Sequence, residues 1–395
     1  MKVKGMETTI SKLTKDIDDL RSREGYLYAG IPYFKGLFGR DSLITSWQLL
    51  KYDVNIARST LKFLARYQGK KINWKTEEAP GKILHLSDYT PHTLPRRILK
   101  LIQRTIQGLP YYGSIDSTPL FVIVAGEYFR GTEDRELLDE LWPNVDRAIN
   151  WIIDYGDLDR DGFVEYRRKS LFGLRNQNWK DALPYIGMKL PVASVEVQGY
   201  AYAAYRTAVS LAELLGRDSG DWAERAEELK QKFSEKFWIA DMNFFALALD
   251  GREKPVTEIA SNPGHLLFTG ILDKAKEKKV VARLFEKDML TDYGIRTHSS
   301  SSKYFRQGHL LGPIWPHDNW MIWIGLKRCG YTEEAEKIKA GLLKAYEKLG
   351  YIPEFYDVVE SKIVSASRLW HGIPVGKACY PQAWASSALL NMIGE

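Results

Sequence analysis

The chain has 395 residues, with 56 lysines and arginines against 50 aspartates and glutamates, so its formal net charge is +6. Because the two signs are interspersed along the chain, this charge indicates a solvated surface and argues against nucleic-acid binding. Two cysteines are too few for a disulfide framework or a zinc cluster. No apolar run reaches membrane-spanning length, and the first residues lack the apolar core of a signal peptide. We therefore expect a cytoplasmic protein with neither nucleic-acid nor membrane partners; the sequence leaves its oligomeric state open.

Helical periodicity dominates the chain and comes in pairs joined by short turns, many of which contain glycine. The predicted helices cover residues 8–23, 41–51, 54–68, 116–130, 133–155, 192–215, 222–237, 258–269, 273–286, 317–328, 332–349 and 381–392. Strand-like segments are few and short, at residues 162–166, 244–249 and 352–359. Neighbouring helices with short connections are expected to pack as antiparallel helical hairpins.

These hairpins predict the fold class. There are roughly six of them, and they lack the fixed repeat length that an α-solenoid would show. No linker or low-complexity segment divides the chain. We therefore expect an all-α protein, a closed (α/α)6 barrel with a few short strands in its loops, built as a single domain over residues 1–395. In such a barrel the loops at one end of the inner helices form a funnel in which functional residues can meet.

Three polar and aromatic segments lie at breaks between the predicted helices. They are Phe-Gly-Arg-Asp-Ser at 38–42, Asn-Trp-Lys-Asp at 178–181 and Trp-Pro-His-Asp-Asn-Trp at 315–320. A further carboxylate, Glu354, follows Pro353 downstream. Flat aromatic faces can cover the C–H surface of a sugar ring, and charged or amide groups can bind its hydroxyls. Since two carboxylates flanking a glycosidic oxygen would supply the acid and base of hydrolysis, the pattern predicts a glycoside-cleaving enzyme.

Nine segments of the chain, in this order, resemble a known family. They are residues 29–42, 112–119, 159–166, 176–181, 195–200, 261–265, 294–297, 312–319 and 379–384. Together they resemble the catalytic domain of the glycogen-debranching amylo-α-1,6-glucosidase family. That family belongs to a wider group of inverting (α/α)6-barrel glycosidases, which includes glucoamylases and hydrolases of mannosylglycerate or glucosylglycerate. The resemblance implies an exo-acting, inverting α-glucosidase that works by general acid and base catalysis.

The resemblance assigns the two catalytic carboxylates. Asp181 matches the family's general acid, which must stay protonated near neutral pH. Glu354 matches the general base, which in an inverting enzyme lies about 6.5–9.5 Å from the acid so that a water fits between them. Asp357 and Glu360 lie close enough in sequence to compete for the role of base. The alternative for Asp181 is a helix cap or an ion pair with Lys180.

The remaining candidate site residues are expected to bind the substrate. In glucoamylase-like enzymes the pair that matches Arg40 and Asp41 grips sugar hydroxyls, although an N-cap Asp beside a salt-bridged Arg would look the same in sequence. Tyr33 and Phe34 stand where the family often has Trp. The full set of expected substrate-binding residues is Tyr33, Phe34, Arg40, Asp41, Gln177, Trp179, Lys180, Gln198, Trp315, His317 and Asn319.

One acidic loop could bind a metal, although no cofactor is expected for the reaction. Asp157, Asp159 and Asp161 alternate as in the first half of a calcium loop, and Gly162 follows them. An EF-hand would then place a Glu where this chain has Arg168, and Glu165 is an alternative ligand. Turn-forming aspartates explain the same residues without a metal.

Two alternatives to a debranching activity stay open. The first keeps the fold and the chemistry but changes the substrate to a small compatible solute such as glucosylglycerate or mannosylglycerate, for whose carboxylate Arg175 and Arg368 are candidate partners. The second is a non-catalytic carbohydrate-binding helical protein. Because few residues precede the first matching segment, and residues 74–109 could fold over the funnel as a lid, we expect short substrates to be preferred over a branched polymer.

Overall fold

The computed structural model describes residues 3–89, 101, 105, 108–171, 173–180, 188–306, 309–370 and 373–395. Within these residues, eleven α-helices alternate with short strands and loops. The helices are α1 (Val3–Asp18), α2 (Gly39–Gln48), α3 (Val54–Arg66), α4 (Ser117–Thr132), α5 (Arg135–Trp151), α6 (Val195–Leu215), α7 (Trp222–Lys236), α8 (Lys274–Leu284), α9 (Pro316–Cys329), α10 (Thr332–Leu349) and α11 (Ala383–Gly394). A 3₁₀ helix, Asn262–Phe268, supplies one further helical element.

Six helical elements form a closed inner ring. Following the contacts around the ring, α2 packs against α4, α4 against α6, α6 against the 3₁₀ helix Asn262–Phe268, this helix against α9, α9 against α11, and α11 back against α2. A second element packs outside each of them: α3, α5, α7, α8, α10 and α1, in the same order. This is an (α/α)6 barrel, and the fold class expected from the sequence is confirmed.

Residue patterning explains which helices lie inside. Every residue of α2 is buried, and so are ten successive residues of α11, from Ala383 to Met392. A helix enclosed on all sides has no polar face to show to solvent. By contrast, α3 buries one apolar stripe, which includes Ile56, Leu61 and Leu64. None of the described helices is both long and apolar enough to cross a membrane.

Local signals set the ends of several helices. Asp53, Asp134 and Asp273 cap α3, α5 and α8 by accepting a backbone N–H two or three residues downstream. Gly330 ends α9 with φ of 87° and Gly350 ends α10 with φ of 74°. Glycine adopts this left-handed conformation without the penalty that a Cβ brings.

The strands are short and lie in the loops. They are β1 (Gly36–Phe38), β2 (Leu86–Tyr89), β3 (Glu165–Tyr166), β4 (Val192–Ser194), β5 (Trp238–Ile239), β6 (Phe244–Phe245), β7 (Ala248–Asp250), β8 (Leu290–Thr291), β9 (Gly294–Ile295), β10 (Tyr356–Val359), β11 (Lys362–Ser365), β12 (Ser367–Trp370) and β13 (Ile373–Lys377). The order β3-β4-β7 forms a three-stranded sheet, and the other strands pair two by two. All pairings are antiparallel.

Three expected helices differ from the structure, and the one expected at 8–23 runs instead from Val3 to Asp18. The helix expected at 258–269 is the shorter 3₁₀ helix Asn262–Phe268, which begins with Pro263 next to its first residue. A Cβ on Gly264 would lie 2.7 Å from Ile322, so this segment packs unusually close to α9. The helix expected at 133–155 ends as an α-helix at Trp151 and continues as a π-helical turn, Ile152–Gly156.

Candidate active site

A pocket lies where the N-terminal ends of inner helices meet the loops that precede them. Helices α2 and α11 contribute residues of their first turns, and α9 contributes its N-cap residue, Trp315. The lining residues are Phe34, Phe38, Arg40, Asp41, His85, Trp179, His309, Leu310, Trp315, Glu354, Arg368 and Trp384. A larger cavity, about 450 Å³, lies between α4 and α6, but none of the expected site residues lines it.

Glu354 is the expected base, and the structure places it in the wall of this pocket. It is 2% exposed, and both of its carboxylate oxygens accept a hydrogen bond from Nη2 of Arg368. The backbone N–H of Cys379 donates to Glu354 Oε2 over 3.0 Å, and the Glu354 N–H donates to the Cys379 carbonyl over 2.9 Å. These contacts fix the direction of the carboxylate and place a guanidinium beside it.

Asp357, which competes with Glu354 in sequence, does not line the pocket. Its carboxylate lies 3.6 Å from Nη1 of Arg296 and 3.4 Å from Nε of Arg306. These two arginines tie strand β10 to the segment that contains residues 296–306. The geometry therefore favours Glu354 over Asp357 as the base.

Arg40 and Asp41 open helix α2 and both line the pocket. Arg40 donates through Nε to Asp116 Oδ2 over 2.7 Å, and both side chains are buried. Asp41 stands in the first turn of the helix, where the dipole favours a carboxylate. A sugar bound here would contact the Arg40 guanidinium, which Asp116 holds in place, and the neighbouring Asp41 carboxylate. Such a pair of a donor and an acceptor suits two adjacent hydroxyls.

His85 lies beside Arg40 and carries no charge at neutral pH. Burial, assisted by the positive charge of Arg40, lowers the pKa of His85 to about 3. Its ring packs edge-on against Phe38 and Tyr111, with centroid distances of 5.8 and 5.9 Å. A neutral imidazole has one donor and one acceptor nitrogen and can bind a hydroxyl in either direction.

Aromatic faces form much of the remaining wall. Trp315 stacks on Phe355 at 4.8 Å between centroids and meets Trp179 and Trp384 edge-on at 6.1 and 6.0 Å. Phe34 also lines the pocket. Tyr33 does not, although its ring lies 6.4 Å from that of Phe34. The indole and phenyl surfaces are the apolar platforms on which the C–H faces of a sugar pack.

The expected acid, Asp181, lies outside the described residues, so its position relative to Glu354 stays a prediction. Its neighbour Lys180 is described and is fully buried. Lys180 Nζ donates to the Thr297 carbonyl over 2.6 Å and lies 4.9 Å from the ring centre of Trp179. Burial lowers the pKa of this ammonium, while the negative charges of Asp318 and Glu196 oppose the shift. Lys180 therefore anchors its segment to the barrel and does not line the pocket.

His317 lies directly behind the pocket wall. It is fully buried, and its ring stacks on Trp384 at a centroid distance of 3.7 Å. Burial, together with the nearby His265, Arg40 and Lys180, lowers the pKa of His317 well below its ordinary value. His317 is thus a neutral, stacked side chain that supports Trp384.

Three expected amide ligands are placed in structural positions instead of in the pocket. Gln198 accepts from the Val164 N–H over 2.8 Å and donates to the carbonyls of Val164 and Ser194. Asn319 accepts from the Ile295 N–H over 2.7 Å and donates to the carbonyls of Ile295 and Trp315. Gln177 donates to Glu77 Oε2. The bonds of Gln198 and Asn319 tie loops to inner helices, and the bond of Gln177 joins two loops, so the three amides hold the barrel end together.

The acidic loop does bring its carboxylates together. One oxygen from each of Asp157, Asp159, Asp161 and Glu165 lies within 4.8 Å of the others. Burial, followed by the charges of Asp159 and Asp161, raises the pKa of Glu165 to about 8. The Asp157 carboxylate also accepts backbone N–H bonds from Arg160 and Gly162. Through these bonds Asp157 stabilises the turn. Calcium binding by the cluster stays a prediction.

The sequence alone did not identify the roles of several residues in or behind the pocket. Asp116 falls in one of the resembling segments, but its position predicts the start of a helix. His85 falls in the segment that was expected to form a lid. The sequence predicts Arg368 as a partner of a substrate carboxylate, whereas in the structure it pairs with Glu354. Its fellow candidate Arg175 is exposed. Phe38 and Trp384 were identifiable, since each stands beside or within a resembling segment.

Comparison with known proteins identifies related sequences. A family model described as the mannosylglycerate hydrolase MGH1-like glycoside hydrolase domain matches residues 37–368. A curated mannosylglycerate hydrolase of Rubrobacter radiotolerans is 24% identical over 203 residues, which cover 49% of this chain and 41% of that protein. The matched region therefore spans about two fifths of the length of this curated relative.

Solved structures show the same fold. The GH63 mannosylglycerate hydrolase from Thermus thermophilus in complex with Tris and D-glycerate has a TM-score of 0.75 and 18% identity, over 97% of this chain and 99% of that one. Its complex with glucose gives a TM-score of 0.72 and 18% identity, over 98% and 99%. A rhamnosidase from Klebsiella oxytoca gives 0.63 and 14%, over 99% and 64%. These likenesses establish the barrel architecture.

Proposed function

Since the chain belongs to the mannosylglycerate hydrolase MGH1-like glycoside hydrolase family, we propose that it hydrolyses the α-glycosidic bond of a glycerate glycoside, with mannosylglycerate and glucosylglycerate as the candidate substrates. The observation that carries this proposal is the family match over residues 37–368. The chain is a glycoside hydrolase, but the glycogen-debranching assignment suggested by the sequence segments is not supported. The resemblance was to a neighbouring family of the same barrel group.

The proposed reaction is a single displacement with inversion. Glu354 takes a proton from a water, whose oxygen forms the new bond to the anomeric carbon as the glycosidic bond breaks. Asp181 donates its proton to the departing glycerate oxygen. The products are the free sugar and glycerate. Glu354 then loses its proton to solvent and Asp181 takes one up, which restores the starting state of both carboxyl groups. This scheme requires Asp181 to lie across the pocket from Glu354, with room for the water.

The pocket offers groups for the sugar part of such a substrate. Arg40 and Asp41 would bind sugar hydroxyls, and Trp179, Trp315 and Phe34 offer apolar faces to the ring. The described lining residues include Arg40 and Arg368 together with Asp41 and Glu354, so their formal charges cancel. A non-catalytic binding role is the weaker alternative, because the pocket holds a buried and oriented carboxylate.

The test is a substrate panel on the purified protein. Mannosylglycerate, glucosylglycerate, maltose, isomaltose, panose, trehalose and a glycogen limit dextrin are incubated separately, and the released sugar is measured. We expect turnover of at least one glycerate glycoside to exceed that of every neutral sugar. The variant Glu354→Gln serves as the control for contaminating activity. Preferred cleavage of the limit dextrin or of a neutral disaccharide would overturn the proposed substrate class.

A further inference from the structure

Arg368 joins the hairpin β12–β13 to the base. Its Nη2 donates to both oxygens of the Glu354 carboxylate, and the two side chains are 14% and 3% exposed. The residues lie 14 positions apart, on separate structural segments. Arg368 and the Cys379 N–H thus approach the same carboxylate, and Arg368 supplies the positive charge.

Aromatic rings hold the guanidinium in place. Its central carbon lies 4.7 Å from the ring centre of Phe34, 5.7 Å from that of Phe355 and 5.9 Å from that of Tyr33. A cation near an aromatic face is attracted to the negative face of the ring, and more strongly where water is excluded. Because Phe34 and Phe355 come from separate segments, the guanidinium has a defined place before any substrate arrives.

The chemistry of a general base explains what this arrangement does. A base must be ionised, and it must point a lone pair at the water it activates. A carboxylate buried without a counter-charge takes up a proton, because the charged form is costly in an apolar setting. A planar guanidinium stabilises the anion and restricts its rotation, which a lysine ammonium does less well because it is a flexible point charge.

We propose that Arg368 is a positioning residue for the reaction: it keeps Glu354 ionised and aims it at the attacking water. This inference rests on the proposed function, in which Glu354 is the base. It differs from the sequence interpretation of Arg368, in which the arginine would bind the carboxylate of the substrate. The two roles predict different effects of the same substitution.

The kinetic test compares Arg368→Ala with a matched control, Arg306→Ala. Arg306 also pairs with a carboxylate, Asp357 at 3.4 Å, and its guanidinium lies 4.9 Å from the ring centre of Phe305, but it does not line the pocket. We expect Arg368→Ala to lower kcat by about 100-fold, within the range for positioned acid–base groups, with KM changed less than threefold. The loss should be equal for a glycerate glycoside and the matching neutral glycerol glycoside. The control should stay within twofold of wild type.

Two further readouts separate positioning from a loss of folding. Added guanidinium chloride at non-denaturing, millimolar concentration should restore part of kcat in Arg368→Ala, and Arg368→Lys should retain more activity than Arg368→Ala. Failure of both rescues would overturn the proposal. A loss confined to KM for the glycerate glycoside would also overturn it, since that result identifies a substrate-binding arginine.

An activity-independent measurement keeps this inference distinct from the proposed function. In protein labelled with ¹³C at glutamate carboxyls, the resonance of Glu354 is assigned as the one absent from Glu354→Gln. In Arg368→Ala the pH at which this resonance titrates should rise by more than one pH unit relative to wild type, and in Arg306→Ala it should not move. An unmoved titration in Arg368→Ala would refute the role of Arg368 even if the substrate were unknown. Conversely, a clear shift with no cleavage of glycerate glycosides would leave Arg368 in its role and reject the substrate.

Discussion

The buried pair of Arg40 and Asp116 offers the sharpest test of how the site is held together. Arg40 Nε and Asp116 Oδ2 lie 2.7 Å apart, and their side chains are 5% and 1% exposed. The perturbation is Asp116→Asn, which keeps the shape of the side chain and removes its charge. Because Arg40 lines the pocket and Asp116 does not, the substitution affects the pocket only through its contact with Arg40.

The expected magnitude follows from distance and burial. At 2.7 Å and an effective dielectric constant of about 20, Coulomb's law gives an attraction of about 6 kcal/mol. Desolvation of both ions consumes much of this attraction, but removing one partner of a buried pair typically costs about 3–5 kcal/mol. We therefore expect Asp116→Asn to lower the free energy of unfolding by about 3 kcal/mol, at the lower end of that range, because the amide still accepts a hydrogen bond.

The assay is a double-mutant cycle with Arg40→Met, read by urea unfolding. The coupling energy between the two sites should be about 2–3 kcal/mol, as for contacting charges inside a protein. The control pair is Lys62 and Glu140, which also lie 2.7 Å apart but have side chains 40% and 51% exposed. For such an exposed pair the coupling should be about 0.2–1 kcal/mol.

The result that would refute this reasoning is additivity. If the double variant loses the sum of the two single losses, Asp116 does not stabilise Arg40 through their contact. Equal coupling in the buried and the exposed pair would show that burial does not set the magnitude.

Two further predictions follow from the site and from the acidic loop. Glu354→Gln should lower kcat by about 10²–10⁴-fold, whereas Asp357→Asn should keep kcat within a few-fold of wild type; the reverse order would make Asp357 the base. The pKa of Glu165 is raised from 4.5 to about 8 in the folded state. Between these two pH values the folded state keeps a proton that the unfolded state has lost. The free energy of unfolding therefore falls as the pH rises from 4.5 to about 8. Glu165→Gln should therefore match wild type in Tm at pH 5 and exceed it by about 2 °C at pH 8.5; an equal Tm at both pH values would contradict this. Calcium that raises Tm in wild type but not in Glu165→Gln would instead identify a cation site.

The barrel could be predicted from sequence because its signals are local. Apolar periodicity predicted the helices, and glycines such as Gly216 and Gly330 predicted the turns between partner helices. The 3₁₀ helix Asn262–Phe268 was predicted as a longer helix, since an apolar run has the same appearance in both cases. Close packing on α9, which requires Gly264, is a tertiary effect that periodicity does not report.

The site was predictable only in part, for a different reason. Aromatic-carboxylate segments identified Arg40, Trp179 and Glu354, because sugar chemistry needs those residue types. The partners that fix them lie far away in sequence: Asp116 is 76 residues from Arg40. Such a distance leaves no local pattern from which the contact could be inferred.

Several polar residues expected to bind the substrate lie outside the pocket lining. Gln198, Asn319 and Lys180 do not line the pocket, and their polar groups bond to the backbone of other segments. A buried barrel end contains many backbone groups that need partners, and amides or ammonium groups satisfy them. Sequence alone does not distinguish an amide that faces a ligand from one that ties down a loop.

The central claim is that this glycosidase cleaves a glycerate glycoside with inversion. The most direct measurement follows α-linked mannosylglycerate and glucosylglycerate by proton NMR during the first minutes of reaction with the purified protein. The account predicts that free glycerate and the β-anomer of the sugar appear together, before mutarotation, and that Glu354→Gln releases neither. Initial release of the α-anomer would contradict the inverting mechanism, and failure to cleave either glycoside while a neutral glucoside is hydrolysed would contradict the substrate assignment.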